Sequence, residues 1–138
     1  MLTEAAGIPV SIAVDGANRH DMRMVRPTLE GIQAQRPDPT PRKPQGLCLD
    51  KGYDYNEPRE LVKEFGFTAH IRSRGEEAQA AKRHAGEKAR RWVVERTHSW
   101  MNRFRRILIR WEKRADTYLA MLHFVCGLIT WRGTGLLE

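Results

Sequence analysis

The stretch from Arg90 to Arg114, RRWVVERTHSWMNRFRRILIRWEKR, constrains the fold more than any other, because helical periodicity, dense positive charge and an isolated acid coincide in it. At ~100° per residue, Val93, Trp100, Met101, Phe104, Leu108 and Trp111 fall on one side, the stripe with which a helix covers a core. Arg91, Glu95, His98 and Asn102 fall on another side, so one carboxylate sits among cations and hydrogen-bonding groups. The spacing predicts a single long helix. Two readings of its polar face stay open. A solvated face with an Arg91–Glu95 pair would contribute only ~0.3–0.5 kcal/mol. Alternatively, Glu95 ligates a metal while neighbouring arginines hold the phosphates of a nucleic acid.

The charge supports a partner at this place. The formal net charge is +7, yet residues 72 to 114 hold 14 Lys/Arg against 5 Glu, leaving 10 against 12 elsewhere. The basic character is therefore a patch. A patch of that size favours an anionic polymer, with nucleic acid ahead of membrane because Trp100, Phe104 and Trp111 are assigned to a core. With 138 residues, 41% of them hydrophobic, the chain suits one globular domain. Cys48 and Cys126 stand far apart without a ligand spacing, which argues against a zinc site or disulfide framework and fits a reducing cytoplasm. The first residues lack the basic region of a signal peptide.

In chain order, Met1–Ala5 and Ile8–Val14 read as strands of a hairpin, punctuated by Gly7 and Pro9. Asp21 is placed to cap a helix over Met22–Ile32. Asp15 and Asp21 invite a metal-ligand reading, but Asp15-Gly16 has turn composition and Asp21 precedes an apolar helix, so structural roles are expected of both. Gln33–Gln45 carries four prolines and reads as an extended loop. Gly46–Leu49 is a short apolar strand ending in Asp50, where open α/β sheets place their chemistry; a turn or capping role is the alternative. Asn56–Phe65 reads as a helix stopped by Gly66, and Phe67–Ile71 as a strand, which together predict a right-handed βαβ unit with a parallel pair. Asp116 or Thr117 is placed to cap a final helix through Trp131, too short to cross a membrane and apolar nearly all round. The chain thus divides into a hairpin and helix (1–32), a Pro-rich loop (33–45), a βαβ unit (46–72), and a long basic helix with a C-terminal core helix (88–132).

Asp50 and Glu95 can converge at one end of a sheet. Two carboxylates suit magnesium or manganese, which prefer oxygen ligands and in pairs stabilise in-line phosphoryl displacement. The segments Gly46–Asp54, Phe67–Ile71, Arg91–Trp100 and Arg103–Arg106 resemble the C-terminal half of bacterial insertion-sequence transposases of the insertion-sequence-five family, over nearly the whole chain. The resemblance implies an RNase H-like mixed sheet with flanking helices and an Asp-Asp-Glu catalytic set. Asp50 matches its second Asp and Glu95 its Glu, so the implied cofactor is a pair of magnesium or manganese ions. It also implies metal-dependent cleavage and joining of DNA in the bacterial cytoplasm, at the nucleoid. DNA ends and target are the implied partners, with the upstream transposase segment and a second copy beside them. Arg91, Arg96, Arg103 and Arg106 are the expected phosphate contacts.

This chain departs from the family in two ways. Of the signature Tyr-x2-Arg-x3-Glu-x6-Lys it keeps Arg91 and Glu95, with Lys88 and Asn102 at the outer positions. No residue matches the family's first Asp, which lies on a first, central strand upstream of the segment resembling residues 1 to 14. The expectation is therefore a C-terminal portion lacking that strand and inactive alone. A non-catalytic DNA-binding or assembly fragment is one alternative. A self-contained RNase H-like nuclease is another, with Asp15 or Asp54 supplying the third carboxylate.

Overall fold

The computed structural model describes residues 1–16, 18–71 and 92–135, which fall into two units: Met1–Ala34 with Trp92–Glu138, and Gln35–Arg91. The polar connection expected over residues 72–87 lies outside the described residues, as does Arg91.

In the first unit, Gly7 takes φ +87°, a conformation costly for residues with a Cβ, and turns the chain back on itself. The Glu4 N–H donates to Ile8 O at 3.0 Å and the Gly7 N–H to Glu4 O at 2.9 Å, while the Glu4 carboxylate accepts from the N–H groups of Ala6 and Ile8. This turn joins β1 (Leu2–Thr3) to β2 (Pro9–Ser11), the antiparallel hairpin predicted, with shorter strands. Ser11 is buried and its hydroxyl donates to Thr28 O at 2.6 Å, fastening β2 to the following helix.

That helix begins later than expected. A 3-10 turn over Asp21–Met24 precedes α1 (Val25–Glu30), and Asp21 lies in the first turn rather than capping it. Pro27 explains the delay. In an α-helix begun at Met22, residue 27 would owe a hydrogen bond to Arg23 O that proline cannot make; begun at Val25, the helix carries Pro27 in its first turn, where no donor is required.

The second unit is a βαβ arrangement. β3 (Gly46–Leu49) and β4 (Thr68–Ile71) pair in parallel from Gly46 opposite Thr68 to Leu49 opposite Ile71, joined through α2 (Asn56–Glu64). α2 buries Pro58 and Val62, and Gly66 at φ +78° ends its turn. Among the described residues the two strand pairs form separate two-stranded sheets. The Pro-rich loop is irregular apart from a bridge between Thr40 and Lys43.

The largest departure concerns residues 90 to 114. Instead of one helix, the chain forms α3 (Trp92–Met101), a turn at residues 102–104, the single-turn α4 (Arg105–Leu108) and a non-helical segment that leads to α5 (Ala115–Gly133). Packing accounts for the break. On a straight helix Met101 and Ile107 would point ~120° apart, since six residues turn ~600°. Broken at Phe104 (φ −91°, ψ 107°), the chain puts both into one buried cluster with Leu122, Val125, Cys126 and Ile129 of α5. Each buried side chain of this kind is worth roughly 1.5–3 kcal/mol, more than the few helical hydrogen bonds given up.

The expected stripe is cut short as a result. Val93 and Met101 are buried, and Trp100 and Phe104 pack against the cluster, but Leu108 is 57% and Trp111 72% exposed. α5 starts one residue earlier than the expected Asp116 cap, with Arg114 at the N-cap and Asp116 in the first turn. Nor is it buried all round, because Phe124 and Trp131 face outward. No described helix is long and apolar enough to cross a membrane.

Candidate functional site

Asp50 directly follows β3 and starts the 3-10 turn Lys51–Tyr53. Its exposed carboxylate accepts the Lys51 N–H at 2.7 Å, while its carbonyl accepts from Tyr53 at 2.9 Å. It therefore performs the capping role named as the alternative and also stands at the C-terminal end of a parallel strand. Asp54 is committed elsewhere. Arg59 Nη2 donates to Asp54 Oδ1 at 2.6 Å and to Ile71 O at 3.1 Å, tying the turn to the end of β4.

Glu95 belongs to the other unit, exposed in the first turn of α3, with His98 and Asn102 one and two turns farther on. Arg96 is turned onto the hairpin instead: its Nη2 donates to Ala6 O, and its guanidinium stacks 5.0 Å over the Trp100 ring. Next to it, Thr97 is fully buried and its hydroxyl reaches Gly7 O at 2.6 Å and Val93 O at 3.1 Å. The α3 face beside Glu95 thus doubles as the hairpin's anchor.

Arg103, Arg105 and Arg106 are exposed around the break, with the Arg106 side chain 71% exposed. In the same unit lies a cleft of about 480 Å³, lined by Asp15, Asp21, His98, Asn102 and Tyr118 among others. Asp15 accepts the Gly16 N–H and pairs with Arg19 at 3.3 Å, as its turn composition predicted. Burial, then the charge of the Met1 amine, pushes the His98 imidazole below its ordinary range, which leaves it neutral at pH 7.

By donor type, Asp50 and Glu95 suit a hard divalent cation. Among the described residues no three His, Cys, Asp or Glu side chains converge on a metal position. Arg105, the buried Thr97 hydroxyl and the outward-facing Trp111 were missed by periodicity alone. A signal for the last was present in the alternation Ile109-Arg110-Trp111-Glu112, which has the period of extended chain.

A family model described as the transposase DDE domain matches residues 47–131, a span that includes both carboxylates and Arg103, Arg105 and Arg106. Over 95% of its length the chain is 37% identical to a Burkholderia cepacia protein named as a transposase for insertion sequence element IS402, and it spans 61% of that relative. No solved structure matches.

Proposed function

The chain belongs to the DDE-domain transposases, and on that premise we propose that it is the C-terminal portion of an insertion-sequence-five-family enzyme that cuts and joins DNA at the ends of its element. The observation that carries this reading is the family match across two exposed carboxylates, one at a strand end and one on a helix in the arginine-rich stretch of the chain. Asp50 and Glu95 serve as two oxygen ligands in an RNase H-like domain whose first strand and first Asp come from an upstream segment. Two magnesium or manganese ions, once bound, supply Lewis-acid stabilisation of the charge that develops at phosphorus.

Other steps fall to the chain itself. Arg103 and Arg106, with Arg91, hold backbone phosphates in register; Arg96 holds the hairpin against α3 and so fixes the direction of Glu95. The partners are the element's ends, its target and a second copy of the enzyme, at the bacterial nucleoid.

The experiment joins the chain to its upstream segment and measures DNA nicking. Asp50→Asn and Glu95→Gln should each abolish nicking while leaving DNA affinity nearly unchanged; a variant that cuts at the parent rate removes that residue from the ligand set. Replacing Arg91, Arg103 and Arg106 together should flatten the slope of log affinity against log salt by about one for every phosphate that an arginine had neutralised. A non-catalytic DNA-binding fragment is the second reading, favoured by the exposed Arg103, Arg105 and Arg106. That reading predicts binding that survives chelation and Glu95→Gln, with no nicking even in the joined protein.

A further inference from the structure

Between α4 and α5 the chain is non-helical, with Ile109 in extended conformation (φ −122°, ψ 112°). The Glu112 side chain is turned inward, only 9% exposed, with Oε1 3.8 Å from Arg106 Nη1. Arg110 is pinned twice: its guanidinium lies 4.8 Å over the Tyr118 ring, and its Nε donates to Glu112 O at 3.0 Å. That bond spans residue 111, whose side chain is left facing solvent. Trp111, 72% exposed, is the most exposed of the large hydrophobic side chains among the described residues, flanked by the exposed Leu108 and Ile109.

A tryptophan held outward costs the apolar burial it could have had, so its presentation calls for a partner. The surroundings define that partner's charge. Arg103, Arg105, Arg106 and Lys113 are exposed nearby in sequence, while of the two acids in the segment Glu112 points inward and Asp116 is held by Arg114 at 2.5 Å. A second copy docked through the same patch would bring like charges together. An anionic partner with flat aromatic faces satisfies both the cations and the indole. We propose that Trp111 is a stacking platform for an unpaired or terminal nucleobase of DNA, while the neighbouring cations hold the flanking phosphates. This inference rests on the reading that the chain works on DNA, but it does not depend on Asp50 or Glu95.

The test takes the chain joined to its upstream segment and compares its binding to a DNA duplex carrying a short single-stranded tail and to the same duplex with abasic sites in the tail. Trp111→Ala should lower affinity for the base-bearing tail roughly ten- to hundredfold, while Trp111→Phe retains most of it. The salt slope should stay unchanged in both variants, and affinity for the abasic tail should be the same in parent and variants. Equal loss on both tails, or no loss on either while salt-dependent binding persists, would overturn the stacking role alone. Complete absence of salt-dependent DNA binding by the parent chain would overturn the broader DNA reading with it. Trp111-dependent binding to anionic phospholipid vesicles without a base-dependent effect on DNA would reassign the platform to a lipid surface.

Discussion

Thr97 has one hydroxyl proton and two carbonyl oxygens within reach, Gly7 O at 2.6 Å and Val93 O at 3.1 Å, in a site with no exposure. The shorter bond takes the proton, which makes this side chain a link between α3 and the hairpin turn rather than a local helix bond. Removing it leaves a carbonyl buried with one partner fewer. Thr97→Val, which keeps the shape, should destabilise the fold by ~1–3 kcal/mol, whereas Thr97→Ser should lose less because it keeps the bond. Denaturant midpoints of the two variants decide the point: a larger loss in Thr97→Ser than in Thr97→Val would mean that the methyl group, not the hydroxyl, matters. Sequence periodicity placed residue 97 on the helix without revealing this, since a threonine on a helix reads the same whether or not its hydroxyl is used.

At the scale of elements, the start of α5 is set by charge as much as by apolar pattern. Arg114, chiefly, and then the Thr117 N–H hold the Asp116 carboxyl below the usual carboxylate range, and Asp116 in turn raises Arg114. A carboxylate whose folded pKa is depressed adds stability above its unfolded value of about 3.9, and that contribution is lost as pH falls through the lower folded value. Both groups are fully exposed, so the effect is small and sensitive to salt. Asp116→Asn should therefore be less stable than the parent at pH 7 and approach it on acidification below about pH 4. A gap between the two melting curves that does not narrow in acid would assign the effect to something other than this pair. Pro27 and Phe104 act at the same scale. The proline moves the start of α1 by its missing donor, and the break at Phe104 converts an expected rod into a helix, a turn, a single helical turn and a non-helical segment.

For the whole molecule, the described residues hold two separate two-stranded sheets, and the chain spans 61% of its transposase relative. An RNase H-like domain places its first strand between such pairs, so the proposal assigns the joining strand to the upstream segment together with the first Asp. Each buried backbone group left without a partner costs ~1–3 kcal/mol against a domain stability of ~5–15 kcal/mol. The 138-residue chain alone should therefore melt at lower temperature and with less cooperativity than the chain joined to that segment, and only the joined protein should nick DNA with magnesium. Magnesium-dependent nicking by the isolated chain would place the third ligand among the acids assigned here to turns and ion pairs.

The sequence alone determined what depends on short-range chemistry: the hairpin punctuated at Gly7, the helix stopped at Gly66, the parallel pair that follows from a strand, a helix and a strand in close succession, and the position of Asp50 at a strand end. It also pointed to the DDE-domain transposases, because the motif residues around Asp50 and Glu95 are local strings. Tertiary structure decided where the basic stretch stops being helical and which of its aromatics face water. A helical stripe records which side chains could share a face, whereas burial depends on what packs against it. Met101 and Ile107 meet α5 only if the helix breaks between them, and the break turns Trp111 out of the stripe that periodicity had assigned to the core.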